Sequence, residues 1–298
     1  MTLANNTGKI YSGFRTALNL SSAIFDPYTL FDAYKARVVA DGGYIPDEAG
    51  CLARFDFLLS NAMYERAAVS ITPAFGLKRD EAGNVQAIYN LLGEAGDLLA
   101  VTSGTPAEPM LYDEITQSVN VRIVSAGGTW LQSRASIIVQ RANSYLIAGR
   151  MSDLNRADNN GLTIGWPIGT LPMAYMRTML TNNQVVTESW RFGTRDSGWP
   201  AGTGGSVLVS ATIYEDFVPA AGLFDVPGGT ITGYEKGKNT SEVASTTGAL
   251  ADLRGRAVTL VVGTPGSTNT GCHGAFKDLV HLHTADESDA ILASRLGM

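Results

Sequence analysis

The sequence predicts a mainly β protein, an antiparallel sandwich preceded by a helical hairpin. From residue 67 onward, apolar and polar residues alternate in short runs, separated by turn-rich segments at spacings of roughly 8–15 residues. Glycine contributes 33 of the 298 residues, and only 17% of the residues are charged, which is typical of many short strands joined by tight turns. Strands do not alternate with helices, which argues against a doubly wound nucleotide-binding fold.

The charge balance excludes several classes of partner. Lys and Arg total 22 and Asp and Glu total 28, giving a net charge of -6 and a pI near 5.1. Without a basic run, this balance argues against a nucleic-acid partner. No apolar stretch reaches the roughly 18 residues of a membrane-spanning helix, so membrane insertion is not expected. Cys51 and Cys272 are too few for a disulfide framework and are expected to be reduced thiols.

Three segments are predicted: an N-terminal arm over residues 1–25, a helical hairpin over 26–66, and a β-sandwich with a short C-terminal helix over 67–298. The arm has mixed apolar and polar residues with no helical period. It is interpreted either as a strand pair packed on the main domain or as an arm that docks on a neighbouring subunit.

The hairpin is predicted from two helix signals. Asp26 can cap a first helix over 26–41, which Gly42-Gly43 ends. A second helix is expected to begin at Pro46, with acidic residues in its first turn. Apolar residues recur at helical spacing in both helices and are expected to form core. They are Leu30, Phe31, Tyr34 and Val38 in the first helix, and Leu52, Phe55, Leu59 and Met63 in the second.

The sandwich strands are predicted from alternating or continuous apolar runs. In chain order the runs are 69–71, 85–89, 119–123, 136–140, 144–148, 162–164, 174–180, 184–192, 207–214, 258–262 and 276–283. Hairpin turns are expected at 80–84 and 181–183. Thr284, with Glu287 three residues later, matches a capping box for the closing helix.

Three stretches of the chain resemble a group of proteins encoded by tailed bacteriophages and prophages. In that group a helical hairpin with an ARVxADGG opening precedes a lectin-like sandwich of the concanavalin A/laminin G type. The matching residues are Ala36 to Pro46; then Val85 to Asn90 with Gly93, Gly96-Asp97 and Pro109; and then Phe276 to Ser294. Their order agrees from about residue 29 to 298, and residues 1–25 lie outside the resemblance.

The resemblance implies a concanavalin A/laminin G-like jelly roll that is a structural component of a virion. The protein would belong to a tail, a collar or neck appendage, or a capsid decoration. Its expected partners are other virion proteins and further copies of itself, because assembly surfaces are repeated by symmetry. The arm and the helical hairpin are the segments expected to make these contacts.

The alternative interpretation is a module that binds host glycans. Trp166, Trp190 and Trp199 fall in one short span, accompanied by Arg195. Tryptophan rings stack well on the apolar faces of sugars, and tryptophan is enriched in recognition sites. The competing interpretation is that these tryptophans pack in the core or in a subunit interface.

No enzymatic activity is predicted. Retaining glycosidases need two carboxylates about 5–5.5 Å apart, whereas Asp113-Glu114 and Glu215-Asp216 are adjacent pairs that would point to opposite faces of a strand. The sequence also lacks a Gly-x-Ser-x-Gly nucleophile elbow.

Two metal hypotheses arise, and no other cofactor is predicted. Asp153, Asn155 and Asp158 concentrate oxygen ligands suited to Ca²⁺, although the segment also has the composition of a plain turn. His281 and His283 share one strand face and could ligate a metal with a third ligand from Asp278 or His273. The alternative for the histidines is a polar, solvated strand face.

Overall fold

A computed structural model describes most of the chain from residue 26 to residue 295. The described residues are 26–106, 108–124, 127–139, 142–154, 162–166, 173–180, 188–195, 206–210, 216–244, 250, 252–263 and 272–295. The predicted arm over 1–25 and the predicted turn at 181–183 lie outside these residues.

Three α-helices are described: α1 (Pro27–Ala40), α2 (Glu48–Ser60) and α3 (Glu287–Ala293). As predicted, Asp26 caps α1 by accepting a hydrogen bond from the Thr29 amide at 3.2 Å. The cap of α2 is Asp47, one residue after the predicted start. None of the described helices is both long enough and apolar enough to cross a bilayer.

Nineteen strands are described. They are β1 (Ala67–Ile71), β2 (Leu77–Arg79), β3 (Val85–Ile88), β4 (Leu98–Gly104), β5 (Tyr112–Asp113), β6 (Ser118–Val124), β7 (Gly127–Ser133), β8 (Ile137–Ile138), β9 (Ser144–Asp153), β10 (Thr163–Trp166), β11 (Met173–Leu180), β12 (Glu188–Arg195), β13 (Ser206–Ser210), β14 (Ala220–Asp225), β15 (Thr230–Glu235), β16 (Lys238–Ala244), β17 (Ala257–Val258), β18 (Val261–Val262) and β19 (Cys272–Leu282). All of their pairings are antiparallel.

Seventeen of these strands form one hydrogen-bonded network that folds over at the β6–β7 hairpin into two layers. In sheet A, β19 pairs on one edge with β6 and β1, and the other edge continues through β9, β14, β15 and β16. Sheet B runs from β2 through β3, β4, β7, β18, β10, β11 and β12 to β13. The predicted fold class, a mainly antiparallel β-sandwich behind a helical hairpin, is confirmed.

The main core lies between the two layers. Phe276 and Tyr145 from sheet A and Trp190 and Phe192 from sheet B are buried in one cluster. A Cβ atom at Gly222 of β14 would come within 2.6 Å of the Phe192 ring. The two layers can approach this closely at that point because the residue is glycine.

The outer face of sheet A is covered by helices. Leu146, Ala148, Val280 and Leu282 form a second buried cluster with Leu58 at the end of α2 and with Ala290 of α3. Residues on both faces of β19 are therefore buried. This explains why its sequence is almost continuously apolar instead of alternating.

Three arginines of the hairpin region bind three aspartates of the sandwich. Their shortest contacts are Arg37 to Asp97 at 2.7 Å, Arg54 to Asp278 at 2.7 Å and Arg66 to Asp289 at 2.5 Å. The carboxylates of the three aspartates are at most 4% exposed. The hairpin is thus joined to the sandwich by buried charges as well as by apolar packing.

Two sequence predictions in this region are wrong. The run 258–262 is not one strand, because it divides into β17, which pairs with β8, and β18, which pairs with β7 and β10. The capping box of α3 is formed by Asp286 and Asp289, not by Thr284 and Glu287. The backbone of Asp286 is extended and its carboxylate accepts from the Asp289 amide at 3.1 Å, so the helix begins after it.

Candidate functional site

A cavity of about 370 Å³ opens at one end of the sandwich. Its walls come from four separate segments: the start of β1, the segment that follows β3, the chain around β8, and the end of β19. The lining side chains are aliphatic or polar, and include Asn90, Leu92, Ser136, Ile137, Ile138 and His283.

Asn90 holds two of these walls together. Its Oδ1 accepts from the Ser70 amide at 2.8 Å, and its Nδ2 donates to the Gly93 carbonyl at 3.2 Å. Its own amide donates to the carboxylate of Asp97 at 2.8 Å. The side chain therefore connects β1 to the turn that forms the adjoining wall, so this part of the cavity is preformed.

The third wall is attached to the same turn through backbone hydrogen bonds. The amide of Arg134 donates to the Asp97 carbonyl at 2.7 Å, and the amide of Ala135 donates to the Ala95 carbonyl at 3.0 Å. Beyond them, Ile138 pairs with Ala257 across the β8–β17 ribbon and leaves its side chain 66% exposed. Ile138 therefore forms an exposed apolar part of the cavity rim.

The fourth wall is His283. Its amide donates to the Arg66 carbonyl at 2.8 Å, which holds the end of β19 against the hairpin region. Burial lowers the pKa of His283 below its usual value, because burial disfavours the charged imidazolium. A neutral imidazole has one donor and one acceptor, so the uncharged ring adds a polar group to this wall.

His281 lies behind His283, with ring centroids 5.4 Å apart, and packs edge-on against Tyr145 at 6.0 Å. It is 1% exposed. Burial, with a smaller contribution from His283, lowers the pKa of His281 to about 3. The alternative interpretation of a solvated histidine face is therefore wrong.

Neither Asp278 nor His273, the two residues considered as a third metal ligand, is placed to join these histidines. The carboxylate of Asp278 accepts from Arg54 at 2.7 Å, from Arg150 at 3.1 Å and from Thr72 at 3.1 Å. His273 lies near the opposite end of β19. Within the described ranges, no group of three His, Cys, Asp or Glu side chains could hold a metal ion.

One of the three candidate calcium ligands, Asp153, can be placed in the structure. Asp153 is the last residue of β9 and its backbone pairs with Gly274, which is the end of sheet A away from the cavity. Asn155 and Asp158 lie outside the described residues. The calcium hypothesis stays a prediction.

Of the predicted glycan-binding residues, Trp190 is corrected by the structure. Its side chain is fully buried between the layers, and its ring stacks on that of Phe192 with centroids 6.3 Å apart. It belongs to the core and cannot stack on a sugar. Trp199 lies outside the described residues.

The strand register places the backbones of Trp166 and Arg195 at the same end of the sandwich as the cavity. Gly165 pairs with Val261, and Val261 pairs with Gln132 of β7, whose last residue leads into the cavity wall. Trp166 therefore ends its strand at the level of that wall. Across β11, Arg195 pairs with Met173, next to the Trp166 pairing. These two residues were predicted from the sequence, whereas the cavity was not.

Two of the acids considered for catalysis, Asp113 and Glu114, make contacts within the protein. Asp113 caps a turn by accepting from the Ile115 amide and the Thr116 hydroxyl, both at 2.8 Å. Glu114 lies 3.3 Å from Arg79. Asp216 is exposed, and Glu215 lies outside the described residues. The expectation that the chain is not an enzyme stays a prediction.

No protein-family model matches the chain, and no curated protein matches it significantly. Among solved structures, it is similar to the binding domain of botulinum neurotoxin serotype C1, with 9% identity, a TM-score of 0.47 and coverage of 77% of this chain and 52% of that one. A structure on the cell entry of botulinum neurotoxin type C and its interaction with two ganglioside molecules has 10% identity and a TM-score of 0.47. The match covers 78% of this chain and 51% of that one. The binding domain of botulinum neurotoxin DC in complex with rat synaptotagmin II has 9% identity and a TM-score of 0.42, with coverage of 77% of this chain and 51% of that one. This chain thus spans about half the length of each.

Proposed function

We propose that this chain is a lectin-like recognition module that binds a carbohydrate at the end of the sandwich where the cavity opens. The cavity carries the proposal. Its volume of about 370 Å³ falls within the roughly 300–1,000 Å³ of small-molecule sites. Its walls combine the aliphatic surface of Ile137 and Ile138 with the exposed polar residue Ser136, and such a mixture suits the alternating C–H and O–H groups of a sugar.

The backbone positions of Trp166 and Arg195 support a carbohydrate-binding surface at the same end of the sandwich. Tryptophan and arginine are enriched in recognition sites, so two such residues whose backbones lie at this end favour it as a contact surface for an oligosaccharide. Of the sequence-predicted glycan residues, these are the two whose backbones pair at this end of the sandwich, and Trp199 lies outside the described residues.

A glycan array probed with the full chain tests this proposal. Ile138→Arg places a long cationic side chain at the cavity rim and is expected to reduce binding at least tenfold. Ile115→Arg is the matched control, because Ile115 is 93% exposed in the turn after β5 and is not among the lining residues. Failure of the wild-type chain to bind any glycan would overturn the proposal. Equal loss of binding in both variants would show that the cavity is not the binding site.

A second candidate function is a structural component of a tailed-phage virion, as the sequence resemblance implies. Tyr28 and Val39 favour it, because they are 63% and 58% exposed and lie three turns apart on one face of α1. Large apolar side chains in such an arrangement suit contact with a neighbouring subunit. Under this proposal the protein is located in the virion, where the hairpin attaches it and the sandwich is displayed.

The assembly proposal is tested by the mass of the chain in solution. Light scattering of the wild type is expected to show a homo-oligomer, and Tyr28→Ser with Val39→Ser is expected to shift it toward the monomer without loss of helix by circular dichroism. A wild-type monomer at high concentration that also fails to enter phage particles would contradict this function.

A further inference from the structure

We infer that α1 is a self-recognition surface, on which the α1 helix of a second copy of this chain docks in the antiparallel direction. This inference rests on the second candidate function, assembly through the hairpin, and it names the partner and the geometry of the contact. It does not depend on carbohydrate binding. The observation that carries it is a stripe of side chains along α1 whose pattern is complementary to itself.

The stripe consists of Tyr28, Asp32, Lys35 and Val39. Their spacings of four, three and four residues are those at which helical side chains line up along one seam, within about 60° of the helix circumference. Three of the four residues are exposed, and the Lys35 side chain is 42% exposed. The buried residues of α1 lie on a different face and are Phe31, Tyr34 and Val38. The stripe is therefore free to meet a partner while α1 stays packed on the protein.

The order along the stripe is apolar, acidic, basic and apolar. Two copies that run antiparallel, with a two-fold axis between positions 33 and 34, place position 28 opposite 39 and position 32 opposite 35. Tyr28 then meets Val39 of the second copy at both ends of the contact, and Asp32 meets Lys35 of the second copy twice in the middle. A parallel pair would instead place like charges opposite each other. The stripe thus fits the self-complementary contact of a two-fold dimer.

Lys35 can contact a second carboxylate without losing the one it has. Its ammonium lies 2.6 Å from the carboxylate of Glu48 at the start of α2, and both side chains are about half exposed. An ammonium carries three donors, so one can remain on Glu48 while another reaches Asp32 of the second copy. Asp32 itself is exposed, which leaves its carboxylate accessible from outside.

The helix is shaped for close approach. Beside the stripe, on the side turned away from the protein, the exposed residues Ala33, Ala36 and Ala40 have small side chains. The distance between two packed helices depends on the side chains at the contact, so a second helix can come close enough for Tyr28 and Val39 to touch it. A helix of 14 residues would be only marginally stable alone. Because the sandwich already holds α1 in place, docking does not have to order it.

The contact is small, so the dimer is expected to be weak and reversible. The stripe extends over about 16 Å of the helix axis, and each copy carries a net charge of -6 that repels the other at long range. At physiological salt such repulsion is screened beyond about 8 Å, whereas groups in direct contact across the two-fold axis still attract. The measurement therefore belongs at physiological salt and over a wide range of protein concentration.

Sedimentation velocity of the full chain between about 1 and 500 µM tests this inference. The wild type is expected to change from monomer to dimer over this range. Asp32→Lys places a second lysine opposite Lys35, and Lys35→Asp places a second carboxylate opposite Asp32. Each change opposes like charges at two points, so each is expected to weaken the dimer at least about tenfold.

Mixing the two charge variants tests the geometry itself. An equimolar mixture of Asp32→Lys and Lys35→Asp is expected to form a mixed dimer, because opposite charges then face each other again at both points. Ala33→Lys is the matched control, since it adds a cation to the same helix outside the stripe, and it is expected to dimerise like the wild type. Circular dichroism of each variant shows that the helices are kept.

Three results would overturn the inference. A wild type that stays monomeric at every concentration would do so, and if that chain still enters phage particles, the assembly function stands. An oligomer that neither charge variant weakens would place the self-contact on another surface. Single variants that dissociate but do not pair when mixed would exclude the antiparallel arrangement, and would leave the stripe to residues 1–25 or to a different virion protein.

Discussion

Arg37 of α1 donates to the carboxylate of Asp97 at 2.7 Å and to the carbonyl of Asn90 at 2.6 Å. These contacts join two of the stretches that carry the sequence resemblance, which are some 60 residues apart in the chain. The hydroxyl of Tyr89 adds a bond to Asp41 at 2.7 Å. These residues therefore dock the hairpin onto the sandwich and fix one wall of the cavity.

Arg37→Met is expected to destabilise the fold by about 3 kcal/mol, because it leaves the Asp97 carboxylate buried without its nearest cation. Lys35→Met is the matched control on the same helix. Lys35 pairs with Glu48 at 2.6 Å, but both side chains are about half exposed, and such pairs contribute at most about 1 kcal/mol. Urea denaturation at pH 7 compares the two. Equal midpoints would contradict the assigned role of Arg37.

Asp278→Asn is expected to cost about 3–5 kcal/mol, because Arg54, only 6% exposed, loses its anionic partner. Burial alone would raise the pKa of Asp278, but Arg54 and Arg150 lower it by more. The stabilisation from this pair is therefore present at neutral pH and is lost only as the pH falls through the depressed pKa. Asp56→Asn, at an exposed position of α2, is the control for chemical denaturation. If both variants unfold at the same denaturant concentration as the wild type, the buried network does not stabilise the fold.

The starts of α1 and α2 could be predicted from the sequence, because a helix cap depends on residues that lie within one turn of one another. Asp26 and Asp47 cap α1 and α2 through amides three residues later. The capping box of α3 was misplaced by two residues because Thr284 and Asp286 both fit a cap. Only the backbone decides between them, since Ala285 still pairs with Ser144 through its amide.

Long-range relationships could not be predicted in the same way. Arg54 and Asp278 are 224 residues apart, and neither is unusual in its local sequence. The cavity draws on four separate segments, so no local motif marks it. Strands β14 and β15 were missed because Gly222 and Gly233 interrupt their apolar alternation. Gly222 lies against the Phe192 ring of the other layer, and the register between β15 and β16 shifts after Gly233.

Asp286→Ala is expected to destabilise the chain by about 1 kcal/mol, because the first turn of α3 loses its side-chain cap. Thr284→Ala should change the unfolding free energy by less than about 0.5 kcal/mol, since Thr284 is exposed and lies outside the capping box. Thermal unfolding of the two variants distinguishes the observed cap from the one expected from sequence. A larger effect at Thr284 would reverse the assignment.

Trp190→Ala is expected to destabilise the fold by about 3–5 kcal/mol, because it opens a large cavity between the layers. Trp190→Phe should cost less, since it keeps an aromatic ring against Phe192. Neither change should alter carbohydrate affinity in protein that remains folded. A Trp190→Ala chain with wild-type thermal stability and lost binding would return this residue to the ligand site.

His281 makes the stability of the fold dependent on acid. Burial lowers its pKa to about 3, whereas the unfolded chain titrates near 6.5. The unfolded state therefore binds one more proton below pH 6.5, and stability is complete above that pH and decreases as the pH falls. Between pH 7.5 and 5.0, this one group is expected to remove about 2 kcal/mol.

His281→Phe keeps an aromatic contact with Tyr145 and cannot be protonated. Its unfolding free energy, measured in urea at a series of pH values, should fall about 2 kcal/mol less than that of the wild type between pH 7.5 and 5.0. His273→Gln, where the imidazole is partly exposed 4.0 Å from Glu108, should keep most of the wild-type slope. An unchanged slope in His281→Phe would mean that the folded chain accepts a proton at this position, and that the ring is not held neutral between the two layers.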